Sequence, residues 1–590
     1  MNVKSLLCRA VMALLLAMPA GPLMAAGKSQ VIATDGSCTI TIDSWLEHVP
    51  PTGWMPMTVR VTNYSDEARV WTLSSIDNDY LTGEMRSTFA FGAPAKGAST
   101  TSLLVPVMAD FDNSRSYSNL RCTISGPALQ GVAMIYFSSG STRSSPSSGK
   151  TPTAFLGVSE VFENTHGSAW RRAGFSGGRE FRGDTVNMAT PPSDWRGYSS
   201  LAQLWMTDGE WSSLSAMQHQ ALLTWVAHGG LVVVSAKEGT TSLPLPEGFP
   251  AWKGEHLEHG MGQVRLLTGS EALSKQTDSL LDLSRRLSAE KLAGSQPPEA
   301  GRLASLLPPL KMNTALIFAF ILIFGIVVGP VNLFWFAAGN RRPRMFWTTP
   351  LISFIGAAVL VVVMILQDGF GGSGARVLLA VVLPEQKQMA VVQEQFAKTG
   401  ILLSRTFDLP SDGSSLITQL PNNLKNTTRY GAVTTRQEKR NLALTNSTAG
   451  GAWFTSRAVQ SMLVQDTRMN RGGIEFIPGA KPAVINSLPT TLKKLVVQDN
   501  EKRLWTASNV RTGERVALEP TDRKTVDGWI ANDVQRQMGH LLRARIKHSA
   551  TETSSWFIAE AAEPAKLATP TLDSIRWDHD RAFVTGRLTP

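Results

Sequence analysis

Asp208 and Glu210 stand in the run Thr207-Asp208-Gly209-Glu210-Trp211, directly after the apolar segment Leu201 to Met206. Carboxylates just past a buried strand could hold a ligand, because open α/β sheets place their crevices there. Trp195 and Trp211 could wall that crevice. The competing use of the carboxylates is to cap the following helix, with both tryptophans packed at the domain edge. His256-Leu257-Glu258-His259 gathers two imidazoles and a carboxylate, a set that could ligate zinc from one helical turn. Gly254, Gly260 and Gly262 argue against that turn, and no third ligand suggests itself, so a solvated loop without metal is expected. Gly174-Phe175-Ser176-Gly177-Gly178 fits the letters of the G-x-S-x-G nucleophile elbow. An elbow must follow a strand and open a helix. Here it follows a helical run, which favours a glycine-rich connecting loop.

These groups are carried by a chain with two adjacent apolar stretches, Thr314 to Phe336 and Phe346 to Gln367, neither holding a formal charge. Each is long enough to cross a hydrocarbon core, which needs about 20 apolar residues. The intervening Gly339-Asn340-Arg341-Arg342-Pro343-Arg344 is a basic turn. The positive-inside rule assigns Arg341, Arg342 and Arg344 to the cytoplasm and both flanking regions to the opposite side. Asn332, beside Gly329-Pro330, is the strongly polar side chain of the first span, and an amide in lipid seeks a partner on the neighbouring helix. Two spans without intramembrane charge offer no ion pathway.

The N-terminus agrees with export. Lys4 and Arg9 precede an apolar run, Ala10 to Ala20, and small residues close it at Ala25 to Gly27. That is the order of a secretory signal, cleaved near Ala26, with an uncleaved signal anchor as the alternative. Removing Cys8 with the signal leaves Cys38 and Cys122, both in alternating strand-like runs. A disulfide between them is expected in an oxidising compartment, and two buried free thiols are the alternative. The formal net charge is +10, but basic residues are scattered and not interleaved with aromatics. Nucleic acid is therefore excluded as a partner, and anionic lipid or envelope polymer suits the surface better.

Patterning divides the rest. Residues 1–26 are the signal, and 27–137 alternate as short strands with polar turns, the pattern of a β-sandwich. Gly53 to Asn63 resembles a strand of an immunoglobulin-like bacterial surface module. Residues 138–152 form a Ser/Gly/Pro linker. Over 153–268, Phe155 to Val158, Leu201 to Met206 and Leu231 to Ser235 read as buried strands, with a helix from Ser215 to Ala227 stopped by Gly229-Gly230. Strands apolar throughout, alternating with helices, indicate a parallel sheet covered on both faces. Residues 269–312 form a stalk, 313–337 and 346–367 the spans, 338–345 the basic loop, and 368–590 an exported β-rich region with a helical patch from Trp529 to Ile546.

Three runs in the α/β unit carry a family resemblance: Asp194-Trp195-Arg196-Gly197-Tyr198, Asp208-Gly209-Glu210-Trp211, and Gln220 through Val233 (QALLTWVAHGGLVV). They resemble the class I glutamine-amidotransferase-like domain of uncharacterised bacterial inner-membrane proteins. In those proteins a hairpin like Gly329-Pro330-Val331-Asn332 with Pro343 and an exported β-rich region follow. The resemblance implies a flavodoxin-like parallel fold. Its chemistry needs a cysteine nucleophile beside a histidine base. Residues 153–268 contain no cysteine, so the domain is degenerate. Ser235 is the positional substitute worth naming, although a strand-end hydroxyl without a glycine elbow is the plainer reading.

The expected protein is thus multidomain α/β plus all-β: sandwich, parallel α/β domain, two-helix hairpin and a C-terminal sandwich-like domain. Its expected role is a non-catalytic scaffold or binding protein of the inner membrane. It needs no cofactor, and its partner is an envelope protein or complex. An envelope hydrolase using the α/β crevice around Asp208 and Ser235 is the alternative, and an accessory subunit of a transport or secretion assembly a third. The two exported halves should meet, because both hairpin ends emerge at one surface.

Overall fold

The computed structural model describes residues 29–589 apart from 33, 51, 80–82, 108–118, 130–132, 139–154, 176–181, 248, 270–302, 304, 308–313, 337–338, 411–414, 421–439, 446–447, 539–541 and 543–554. The expected signal peptide, the body of the linker, most of the stalk and Ser176 to Gly178 lie outside the described residues.

Eight strands open the chain: β1 (Ser29–Ile32), β2 (Cys38–Ser44), β3 (Gly53–Asn63), β4 (Arg69–Asp79), β5 (Gly83–Ala93), β6 (Ala98–Val107), β7 (Asn119–Ser125) and β8 (Ala133–Ser138). They divide into a four-stranded sheet, β1-β2-β3-β6, and a larger one holding β5-β4-β7-β8. Period-two alternation sends Ile40, Ile42, Val59, Val61, Leu120 and Ile124 into one core with Trp71 and Phe91. Three strands from far along the chain extend the larger sheet. Arg440–Leu444 pairs in parallel with β5, from Arg440 opposite Gly83 to Ala443 opposite Arg86. Thr448–Gly451 and Phe407–Asp408 follow it to the sheet's edge.

The expected disulfide is absent, and Cys38 and Cys122 are buried free thiols. Their heights in the sandwich explain this. Cys38 pairs with Asn63 at the end of β3, level with the start of β4, where Arg69 Nη1 donates to Ser37 Oγ at 2.5 Å. Cys122 pairs with Ser75, further along β4. The six residue-to-residue steps from 69 to 75 span roughly 20 Å, whereas a disulfide needs Cα atoms within about 7 Å. Burial, aided by the charge of Asp77, pushes the Cys122 thiol up to about 12.

The α/β unit contains β9 (Phe155–Ser159), α1 (Glu160–Phe175), β10 (Arg182–Val186), β11 (Gln203–Thr207), α2 (Asp208–Ser213), α3 (Ala216–Ala227), β12 (Leu231–Ala236), β13 (His256–His259) and β14 (Gly262–Thr268). The sheet order is β10-β9-β11-β12-β14-β13. All neighbours are parallel except β13 against β14. Ser215 and Gln218 form a reciprocal cap that starts α3, and Gly229 (φ 95°) turns the chain after it. The sandwich sits on this unit. Trp45 Nε1 donates to Asn187 O at 3.0 Å, and the buried Asp184 accepts from His48 N and Nδ1, each at 2.8 Å. A Cβ on Gly53 would meet Ser200 N at 2.7 Å, so only glycine allows that approach.

Two helices long and apolar enough to cross a membrane follow. α4 (Thr314–Ile326) widens into a π-helical stretch, Val327–Phe336, at Pro330. Proline lacks an N–H and cannot continue the α-helical ladder. After the turn Gly339–Arg344 comes α5 (Met345–Asp368). Their apolar side chains are mostly exposed, as for Phe318, Trp335 and Phe354. Asn332 is the exception and is fully buried: its Nδ2 donates to Thr349 Oγ1 at 2.9 Å, and Thr348 Oγ1 donates to its Oδ1 at 2.6 Å.

The second large region is built on a nine-stranded sheet. At its centre Gly372–Leu383 forms a hairpin with Gln388–Thr399 and pairs in parallel with Ile575–Arg587. Val459–Met469, Leu492–Gln498, Leu504–Val510 and Trp556–Ala561 are further strands of this sheet. The expected helical patch begins earlier, with Arg523–Trp529 capped by Asp522, then a π turn to Val534.

Candidate functional site

The parallel sheet reverses its winding between β9 and β11, because β10 lies outside β9 while β12 lies beyond β11. The carboxyl edge at such a reversal is where open α/β sheets take ligands. Hydroxyl residues end three strands there, Ser159 on β9, Thr207 on β11 and Thr268 on β14, and Ser235 is the last but one residue of β12.

Glu210 spans the reversal. Its Oε2 accepts from Ser159 Oγ at 2.6 Å, Thr207 N at 2.8 Å and Thr207 Oγ1 at 2.9 Å. Thr207 Oγ1 in turn meets Glu210 N, completing a capping box on α2. Ser159 Oγ also accepts from Phe162 N at 3.0 Å, in the first turn of α1. One carboxylate therefore ties together two strand ends and the starts of two helices. Asp208 is half-buried in the first turn of α2, and its Oδ1 accepts from Gly209 N at 2.8 Å. Trp211 is fully buried, with Nε1 donating to Pro244 O at 2.9 Å. Trp195 lies apart from these residues, stacked on the His228 ring at 4.4 Å. The structure thus brings Asp208, Glu210 and Trp211 together on one short helix and leaves Trp195 elsewhere.

Ser235 has a different partner. Its Oγ lies 3.0 Å from His166 Nε2, on the second turn of α1. Leu231, Val233, Phe162 and Trp205 share one small core beneath this pair, and the His166 ring packs on Phe162 at 4.9 Å. Desolvation lowers the His166 pKa, which favours the neutral imidazole. A neutral imidazole beside a hydroxyl can accept its proton, the first requirement of general-base activation. Sequence reading missed His166, because its partner is set by strand order rather than by spacing along the chain.

His256 to Glu258 to His259 is an edge strand, not the expected loop. The turn at Gly260 (φ 62°) folds β13 back on β14, and alternation puts the two imidazoles on opposite faces. Glu258 pairs with Lys253 at 3.3 Å, and its carbonyl accepts from Arg587 Nη2 of the second large region at 3.3 Å. His259 is buried, and desolvation together with the nearby Arg587 charge pushes its pKa down to about 3. A cleft of about 500 Å³ lies further away, beside Asp499 and Arg503. Burial opposes the charge of Asp499, but hydrogen bonds from Trp505 and Arg503 outweigh it and lower its pKa. That carboxylate is committed to bracing its own loop.

No family model matches the chain, and no curated protein matches it. Three solved structures show faint local similarity. The sporulation control protein Spo0M from Bacillus subtilis is 10% identical over 18% of this chain and 50% of that one, with a TM-score of 0.14. A β-glucosidase from Listeria innocua is 11% identical over 20% and 16%, with a TM-score of 0.13. A cycloisomaltooligosaccharide glucanotransferase from Paenibacillus sp. is 12% identical over 36% and 28%, with a TM-score of 0.16. This chain spans half or less of each, and the superpositions are too poor to bear on its fold or function.

Proposed function

We propose that this chain is a non-catalytic scaffold or binding component anchored in a bacterial inner membrane. Arg341, Arg342 and Arg344 face the cytoplasm, and the two large regions stand together in the periplasm. An immunoglobulin-like sandwich and a degenerate amidotransferase-like domain form the first of these, and a β-rich domain the second. The carrying observation is the parallel pairing of Arg440–Leu444 with β5. Strands on opposite sides of a bilayer cannot share a sheet, so this pairing supports the reading that both regions lie on one side. The carboxyl edge supports the non-catalytic reading, since Glu210, Ser159 and Thr207 satisfy one another where a ligand would sit. The partner on this reading is an envelope protein or complex.

The experiment is an in-cell crosslink. Gly83→Cys and Arg440→Cys occupy partner positions in the sheet. The doubly substituted chain should form an intramolecular disulfide in intact cells, with a reporter after Pro590 active only outside the cytoplasm. A cytoplasmically active reporter without the crosslink overturns the arrangement.

A second reading, an envelope hydrolase, is favoured by the contact between Ser235 and His166. Its reaction would be acyl transfer to Ser235 Oγ, with the proton passing to His166 Nε2 and then to the leaving group, and water releasing the acyl group.

A further inference from the structure

We propose that the turn between the two apolar helices binds the phosphate of an acidic phospholipid headgroup through the guanidinium groups of Arg342 and Arg344. This rests on the two-span membrane reading, though not on its sidedness. From residue 312 to 367 the formal charges are Arg341, Arg342 and Arg344, all of one sign and within four positions. Arg342 and Arg344 are exposed, and neither forms an ion pair among the described residues. Each planar fork is left free to take two oxygens of one phosphate, which an ammonium cannot do.

The surroundings select lipid over free phosphate. Trp335 is 81% exposed and Trp347 is 78% exposed, one on each helix and about one turn from the bend. Phe334 and Phe346 beside them are equally bare. Indoles at that position mark the depth of the headgroup region, where ring bodies meet acyl chains and polar edges meet water. Pro343 fixes the backbone between the two arginines, and Gly339 (φ 62°) allows the reversal that brings both helix ends to one level. The basic turn and aromatic collar together match a phosphodiester at the rim of an apolar phase, as in basic sites that hold acidic lipids.

The test uses the full chain, purified in neutral detergent and mixed with vesicles of phosphatidylcholine, with or without phosphatidylglycerol. Lipid retained after delipidation is counted by native mass spectrometry. The wild type should retain phosphatidylglycerol about 5-fold over phosphatidylcholine, and R342Q/R344Q should bring that ratio to about one. R342K/R344K keeps the charge and should fall well below the wild type. Equal ratios in the wild type and R342Q/R344Q overturn the site, and an undiminished lysine variant overturns guanidinium recognition. Displacement of lipid by inorganic phosphate would assign a free-anion site instead. If the wild type fails to float with phosphatidylcholine vesicles, the membrane reading itself fails, separately from the headgroup preference.

Discussion

Ser159 Oγ and Glu210 Oε2 meet at 2.6 Å across the point where the parallel sheet reverses its winding. The bond closes the position at which this class of sheet receives ligands, and it does so with a helix-capping carboxylate. Glu210→Ala removes the cap and leaves the Ser159 and Thr207 groups unpaired, so it should destabilise by about 1–3 kcal/mol. Asp208→Ala, which loses one local bond, should cost less than about 1 kcal/mol. Denaturant unfolding of both variants measures the difference, and equal midpoints would remove the bracing role.

The contact between Ser235 and His166 separates the scaffold from the hydrolase. On the scaffold reading, the purified chain hydrolyses p-nitrophenyl acetate no faster than Ser235→Ala does. A fluorophosphonate probe then leaves no adduct on Ser235. A Ser235 adduct lost in His166→Ala, together with a rate about 100-fold above Ser235→Ala, would transfer the assignment to acyl transfer.

Cys38 and Cys122 give a chemical readout of the sandwich register. Alkylation of the unfolded chain without reductant should modify both thiols, whereas the native chain should react slowly, since both are buried. A peptide linking the two cysteines would mean that β2 and β7 meet at a different height.

How far the sequence was legible follows from what surrounds each segment. The apolar helices are plain from their length and uninterrupted apolar character, and Leu231 to Val234 is plain because a strand covered on both faces of a parallel sheet is apolar throughout. Gln388–Thr399 was not read as a strand, because Gln393, Glu394 and Gln395 interrupt its alternation although all three are buried. Gln393 recovers its hydrogen bonds from Thr569, accepting from its N at 3.0 Å and donating to its O at 3.1 Å. Such compensation comes from 176 residues away and leaves no local trace. The meeting of the two halves followed from the hairpin, but the use of Arg440–Leu444 to extend the first sheet did not. The disulfide misled because two inward-facing cysteines in one sandwich say nothing about their heights.

Asn332 joins the two apolar helices through Thr348 and Thr349. In lipid such a link contributes about 1 kcal/mol, since the separated helices also find partners for these groups. Asn332→Leu should therefore loosen the hairpin by about that amount, read by unfolding in mixed micelles, while leaving the β-sheets intact. An unchanged midpoint would mean that apolar packing, such as Phe324 against Gly356, holds the helices alone.

Acid should weaken the junction between the α/β unit and the second large region through His259. Folding lowers its pKa to about 3 from an ordinary 6.5, first by desolvation and then by Arg587. Between those values the unfolded chain binds a proton that the folded chain refuses, so stability rises with pH across this window. The contribution is fully present above about pH 6.5 and is lost as pH falls towards 3, at no more than about 1.4 kcal/mol per pH unit. Carboxylates add their own acid dependence, so the measurement is the difference between the wild type and His259→Gln. The variant should lose stability less steeply from pH 6.5 downward, and parallel curves would show that His259 keeps its ordinary affinity for protons and that the junction is wetter than its packing implies.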